Sequence, residues 1–361
     1  MSFVICGLSS VQPARFIEQS AAAAIAQTFV GNDREARIVP VLFRRTQIRT
    51  RSSVLLESND GGGPRQSFYR PASGPEDRGP ATGLRMQRYA DQSLPLAAIA
   101  AEQALASGSV RPAAVTHLIT VSCTGFFAPG VDIGLVRRLG LAPTVARLHV
   151  GFMGCHGVLN GLRAAQAFLD ADPAAVVLLC AVELCSLHYQ YGNDANHLLA
   201  NALFADGAAA LVGKASAAGD SAWRVVASGS FLMPDDEEGM TWRIGDHGFE
   251  MTLSPHVPDL IGTRLRSWLE PWLASLGHCL KDIGSWAIHP GGPRVLTSVM
   301  EALALPEAAI DISKQVLAEC GNMSSPTVLF VLERLQKQNA RRPCVMLGFG
   351  PGLVAEAALL E

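Results

Sequence analysis

Three residues of this chain carry reaction chemistry in settings that explain it: Cys155 within GFMGCHG (151–157), His289 within AIHPGGP (287–293) and Asn322 within CGNMSSP (320–326). A thiol attacks a carbonyl as the thiolate, an imidazole can take its proton, and a carboxamide N–H can hold an oxygen that gathers negative charge. Together they make a set for covalent acyl transfer. Gly151, Gly154 and Gly157 let the backbone turn tightly around the cysteine. Cys6, Cys180, Cys279 and Cys344 have no such setting and read as inert core. His117, His247, His256 and His278 also lack one. Asn322 alone would pass for a helix cap, and only its company makes it a candidate for the oxyanion.

The order Cys, His, Asn is also that of papain-like proteases, where His and Asn follow the nucleophile by about 130–150 residues. The protease cysteine motif is absent, however, and Cys155 lies deep in the chain. The N-terminus has neither the charged region nor the apolar run of an export signal.

The elements that must position these residues are legible from periodicity. Apolar, β-branched runs at 116–123, 174–184, 208–213 and 343–350 alternate with alanine- and leucine-rich helical patterns, which predicts an α/β protein with buried strands. After Cys155, the apolar residues Val158, Leu159, Leu162, Ala165, Phe168 and Leu169 recur at helical spacing, so the thiol falls at a helix N-terminus, where the dipole favours a thiolate. A similar helix, SPTVLFVLERLQKQ (325–338), follows Asn322, and residues 85–106 predict a further helix containing Pro95. His289 closes a short strand stopped by Pro-Gly-Gly-Pro. The Gly- and Pro-rich stretch 59–82 reads as a surface loop, and the acidic stretch 233–248 as a separator of two halves. A boundary near 214–222 gives an N-terminal half, 1–214, carrying the cysteine, and a C-terminal half, 215–361, carrying His and Asn.

The 361 residues are 49% hydrophobic and 17% charged, with a net charge of −3, which gives no basic surface for nucleic acid and no polybasic membrane anchor. Eight cysteines without C-x-x-C pairs argue against a disulfide framework or a metal site. The expectation is a cytoplasmic enzyme acting on a small molecule.

GFMGCHGVLNGLR, LFADGAAALVG (203–213), AIHPGGP, CGNMSSPTVLFVLE and GFGPGL (348–353), in this order, resemble the chalcone synthase-like, or type III, polyketide synthases over nearly the whole chain. The resemblance implies a thiolase-like fold: two similar βαβαβαββ halves forming a five-layered αβαβα core, in a homodimer. It implies malonyl-CoA and acyl-CoA thioesters as substrates, no further cofactor, and iterative decarboxylative condensation. Cys155 would take the starter acyl group from its CoA ester, while His289 and Asn322 would polarise the malonyl thioester carbonyl and stabilise the enolate formed as CO₂ leaves.

Phe204 matches the family's gatekeeping aromatic, and Met251 stands where chalcone synthases have a second phenylalanine. Cys123, Cys185, His188, Trp242 and Ser324 complete the expected cavity lining. Trp242, at a position that is glycine in chalcone synthase, is similar to bacterial alkylresorcinol and alkylpyrone synthases, which take long acyl starters. Cys123 is similar to tetrahydroxynaphthalene-forming relatives, which use malonyl-CoA alone. In FRRTQIRTR (43–51), Arg45, Arg49 and Arg51 are candidates for the CoA phosphates. A ketoacyl-carrier-protein synthase III-like enzyme and a silent acyl-CoA-binding scaffold share the fold and remain as alternatives.

Overall fold

Strand side chains alternate between two faces, and here both faces are apolar. On Val176–Leu184, Leu178, Cys180 and Val182 enter one core while Val177, Leu179 and Ala181 enter another. Strands buried on both sides require helices on both sides, and the chain supplies them. The computed structural model describes residues 3–31, 36–57, 65–215, 223–234 and 238–361.

In chain order the strands are β1 (Phe3–Val11), β2 (Phe16–Glu18), β3 (Thr50–Ser52), β4 (His117–Ser122), β5 (Ala146–Gly151), β6 (Val176–Leu184), β7 (Asp206–Ala215), β8 (Arg224–Leu232), β9 (Met240–Gly245), β10 (Gly248–Leu253), β11 (Ser285–Ile288), β12 (Cys344–Gly350) and β13 (Val354–Leu360). Nine of them form one sheet in the order β11-β12-β13-β8-β1-β7-β6-β4-β5. Its two parts repeat one pattern. In the first, β1 is antiparallel to β7, β7 to β6, and β6 is parallel to β4; in the second, β8 is antiparallel to β13, β13 to β12, and β12 is parallel to β11. They join where Phe3 and Val4 of β1 pair with Val225 and Arg224 of β8, and the Ile5 N–H donates to Trp223 O at 2.8 Å beside this seam.

The helices Gly157–Ala171 and Thr327–Lys337 each touch strands of both parts, so the sheet folds over them and they make a middle layer. The long helix Thr82–Ser107 covers β1, β6 and β7 on one outside face, and Val257–Ser275 with Pro293–Leu303 covers β12 and β13 on the other. The layers run αβαβα, as the resemblance implied. Val158, Leu159, Leu162, Ala165 and Leu169 are all buried in the middle layer. Emptying one such leucine position to alanine costs roughly 2–5 kcal/mol, which is the scale of the force fixing the nucleophile's helix.

The sequence-predicted strands and helices stand close to where periodicity put them, and Pro95 lies inside one uninterrupted helix. The stretch 233–248 differs. Residues 235–237 lie outside the described residues, but Met240–Gly245 and Gly248–Leu253 form a hairpin that builds a wall of the site rather than a separator. The expected boundary at 214–222 and the loop at 59–64 fall largely outside the described residues. Among the described residues no helix is long and apolar enough to cross a membrane.

Candidate active site

The turn that presents Cys155 is tight. β5 ends at Gly151, Phe152 takes a left-handed conformation (φ 60°), Gly154 another (φ 73°), and a short 3₁₀ turn, Gly154–His156, runs straight into the helix Gly157–Ala171. A side chain at Gly154 would collide with the Pro351 ring. Non-glycine backbone at such angles is held only by its surroundings, and here the Gly154 N–H donates to Cys123 Sγ at 3.0 Å.

Cys155 therefore sits at the helix N-terminus, as expected, but its ionisation state differs from the expectation. Burial pushes its thiol up to about 12 and the nearby Glu183 carboxylate adds to this, against hydrogen bonds from Ser324 and Asn322 that pull the other way. His289 ends β11 and is 1% exposed. Burial, with His156 beside it, pushes its imidazole down to about 3. Desolvation thus favours the neutral form of each group, against the pull of the helix end on the thiol.

Among the described residues the ring nitrogens of His289 have no hydrogen-bond partner, so a lone pair and an N–H are both uncommitted. Asn322 is the opposite, fixed from three sides. Its N–H donates to Leu203 O at 3.0 Å, its carbonyl accepts from Ala205 N–H at 2.9 Å, and its side-chain Oδ1 accepts from Ser324 N–H at 2.8 Å. With Oδ1 committed, the amide nitrogen is the donor, to the Cys155 thiol and, at 3.5 Å, to Gly291 O.

Two neighbours of the triplet gave no sequence signal. Glu183 is fully buried on β6 and accepts from Cys123 N–H (2.9 Å), Thr124 Oγ1 (2.8 Å), Ser325 Oγ (2.9 Å) and Ser122 Oγ (3.3 Å). It binds the end of β4 to the segment that carries Asn322. Burial raises its carboxyl to about 7 despite these four donors. His156 is buried under β12, its Nδ1 paired with Asn160 Oδ1 at 2.8 Å, and Asn160 Nδ2 donates to Glu356 Oε1 at 3.1 Å.

A cavity of about 30 Å³ opens at Cys155 and Ser324, lined also by Cys123, Cys185, His188, Phe204, Trp242 and Met251. The structure thus gathers every sequence-named lining residue around the thiol, while Asn322 hydrogen-bonds the thiol and reaches Gly291 O, two residues after His289, at 3.5 Å. The volume suits one or two waters. His188 has no free nitrogen: Nε2 pairs with Thr124 O at 2.8 Å and Nδ1 accepts from Phe249 N–H at 2.9 Å. Its ring stacks on Phe249 with centroids 4.2 Å apart, and burial pushes its pKa down to about 3. It shapes the wall and offers no hydrogen bond. Trp242 is likewise tied, Nε1–H to Cys123 O at 2.8 Å. His197, which no local motif marks, lines the same space from the helix Ala195–Leu203.

The basic segment divides. Arg45 is exposed, and Arg49 pairs at the surface with Glu319 at 3.0 Å. Arg51 is corrected: it is 2% exposed and turns inward from β3, donating to Asn201 O and Phe204 O at 2.6 and 2.7 Å with its guanidinium over Phe43. A phosphate in solvent cannot reach it. Cys279 also departs from expectation, being exposed rather than core.

The family model for chalcone and stilbene synthases, N-terminal domain, matches residues 76–216, and that for the C-terminal domain matches residues 224–361. An alpha-pyrone synthesis polyketide synthase-like protein of Mycobacterium tuberculosis is 33% identical, over 99% of this chain and 91% of that one. The 1,3,6,8-tetrahydroxynaphthalene synthase of Streptomyces peucetius is 40% identical over 74% of this chain and 73% of its own. Among solved structures, PKS-I of the brown alga Ectocarpus siliculosus superposes with a TM-score of 0.93 at 29% identity, covering 100% of this chain and 98% of that one.

Proposed function

The chain belongs to the type III polyketide synthases, and from that premise we propose that it loads a fatty acyl group from CoA onto Cys155 and extends it with malonyl-CoA to an alkylpyrone, alkylresorcinol or related product. The observation that carries this reading is the cavity on which the Cys155 thiol opens, with the Asn322 amide hydrogen-bonded to that thiol and, on the adjoining strand end, a buried His289 whose ring nitrogens have no partner among the described residues.

In this reading His289 takes the thiol proton as Cys155 attacks the acyl-CoA carbonyl, and passes it to the departing CoA thiolate. Malonyl-CoA then enters and loses CO₂. The electron pair left behind moves onto the thioester oxygen, where His289 N–H and the Asn322 amide stabilise it. The enolate carbon attacks the Cys155 thioester, a carbon–carbon bond forms and the cysteine leaves as thiolate. A dry site strengthens each of these contacts. Arg45 and Arg49 are proposed to meet the CoA phosphates, since Arg51 is committed inside.

We also propose a homodimer. Edge strand β5 and the adjoining loops expose Phe126, Phe127, Leu148 and Met153 together, an apolar edge of the kind that a second copy covers.

A second reading has its own support. A cavity of about 30 Å³ does not hold a long acyl chain without rearranging, and the relative at 40% identity is named for tetrahydroxynaphthalene synthesis; that reading uses malonyl-CoA alone. Incubation of the purified protein with malonyl-CoA and acyl-CoAs of graded length, followed by mass spectrometry, separates them. Product that incorporates the acyl chain supports the first reading, and product indifferent to it supports the second.

A further inference from the structure

Arg85 is wholly buried in the first turn of the helix Thr82–Ser107, and among the described residues no carboxylate pairs with it. A buried cation without a counter-ion is costly, and this one is held instead by carbonyls. Nε–H donates to Pro80 O at 2.8 Å, while Nη1 donates to Leu187 O at 2.9 Å, Tyr189 O at 2.8 Å and Tyr69 Oη at 3.2 Å. Leu187 and Tyr189 flank His188, so the guanidinium grips the loop on both sides of that ring.

The hairpin turn rests on the same group. Gly248 takes φ +104°, and a Cβ there would lie 2.6 Å from Arg85 Nη1, so only glycine lets the turn reach the guanidinium. Beside it the Thr82 N–H donates to Asp246 O at 2.8 Å, and the Gly248 N–H donates to Thr82 Oγ1 at 2.8 Å. The residue after Gly248 is Phe249, whose N–H holds His188 Nδ1. Further along the hairpin, Trp242 and Met251 are cross-strand partners that both face the cavity.

We propose that Arg85 is a positioning residue for specificity: by gripping the 187–189 loop through its carbonyls and by forming the surface on which Gly248 of the Thr82-tied turn packs, it fixes how far the His188–Phe249–Trp242–Met251 wall stands from Cys155, and so limits the length of acyl chain accepted. Arg85 touches no substrate. A lysine would bring one point of charge in place of the fork and cannot hold Pro80 O and both loop carbonyls together. With that grip loosened, the wall moves outward and longer chains are admitted.

The inference rests on the acyl-starter reading. The test compares kcat/KM for short and long acyl-CoA starters in wild type, Arg85→Lys and Tyr69→Phe, with Cys155 alkylation as a measure of the reacting end. Arg85→Lys is expected to raise the long-to-short ratio about tenfold while alkylation stays within about twofold. Tyr69→Phe removes one acceptor, keeps the ring, and is expected to move the ratio about twofold in the same direction. Equal losses for all starters, or unchanged ratios, overturn the inference. If Arg85→Lys does not fold, the ratio in Tyr69→Phe decides alone. Wild type that uses no acyl starter overturns the functional reading instead, a distinct outcome.

Discussion

Phe204 and Asn322 are partners across a two-bond parallel bridge, so the aromatic at the cavity wall and the amide of the reacting end belong to one backbone unit. Arg51 clamps the same unit from beneath by accepting neither role itself and donating to the carbonyls of Asn201 and Phe204. Replacing Arg51 with methionine leaves both carbonyls unpaired in the interior, at roughly 1–3 kcal/mol each. Urea denaturation should show that loss together with a fall in kcat. Arg45→Ala, at the surface, should leave the urea midpoint unchanged and raise KM for malonyl-CoA.

Without substrate, Cys155 should not be the first thiol to react. Its thiol is neutral at rest and opens on a space of about 30 Å³, whereas Cys279 is exposed. Iodoacetamide at pH 7.5 followed by peptide mass spectrometry should find Cys279 modified before Cys155. Cys155→Ala should abolish acyl loading by acyl-CoA while leaving Cys279 labelling intact. Fastest labelling at Cys155 would show that the helix end outweighs desolvation after all.

Glu183→Gln should make Cys155 more reactive in alkali. The carboxylate holds the thiol up, and above about pH 7 Glu183 is mostly charged. A neutral amide removes that repulsion, so the alkylation–pH curve of Cys155 should shift to lower pH. The amide also meets Cys123 N–H and three hydroxyls with a donor where acceptors stood, so the variant should lose stability, by about 1–3 kcal/mol.

Acid should weaken the fold through its neutral histidines. The folded values for His188 and His289 are depressed to about 3 from an ordinary 6.5, so the unfolded chain binds more protons between those limits. The stability they confer is present above pH 6.5 and is lost as pH falls toward 3, at up to about 1.4 kcal/mol per pH unit for each. Glu183 works in the other direction: raised from 4.5 to about 7, it stabilises at low pH and loses that contribution as pH rises through 7. The comparison of wild type with His289→Phe isolates one histidine. The variant's urea midpoint should fall less steeply between pH 6.5 and 4.

The reacting triplet was legible because each member sits in a glycine- or proline-marked turn, and the buried strands because apolar runs of that kind have few other fates. What stayed hidden follows a common rule. Arg85 and Glu183 are polar residues committed to partners far along the chain, at sequence separations of 102 for Arg85 to Leu187 and 142 for Glu183 to Ser325, and no local pattern announces a distant partner. Arg51 was misplaced for a related reason. The run of arginines reads as one basic surface, but Thr50–Ser52 is a strand, and a strand turns alternate side chains to opposite faces.

The two helices of the middle layer bear on a different question, how such an enzyme can change its product. Cys155 precedes one and Asn322 the other, and both helices are enclosed by sheet on each side, so their amides should be among the last to exchange with deuterium. The β9–β10 hairpin has a bare outer face, with the cross-strand partners Arg243 and Glu250 exposed. Substitutions there can remodel the chamber while the bond-forming end stays as it is, which makes the hairpin the place where a lineage could drift from one polyketide to another without passing through an inactive ancestor.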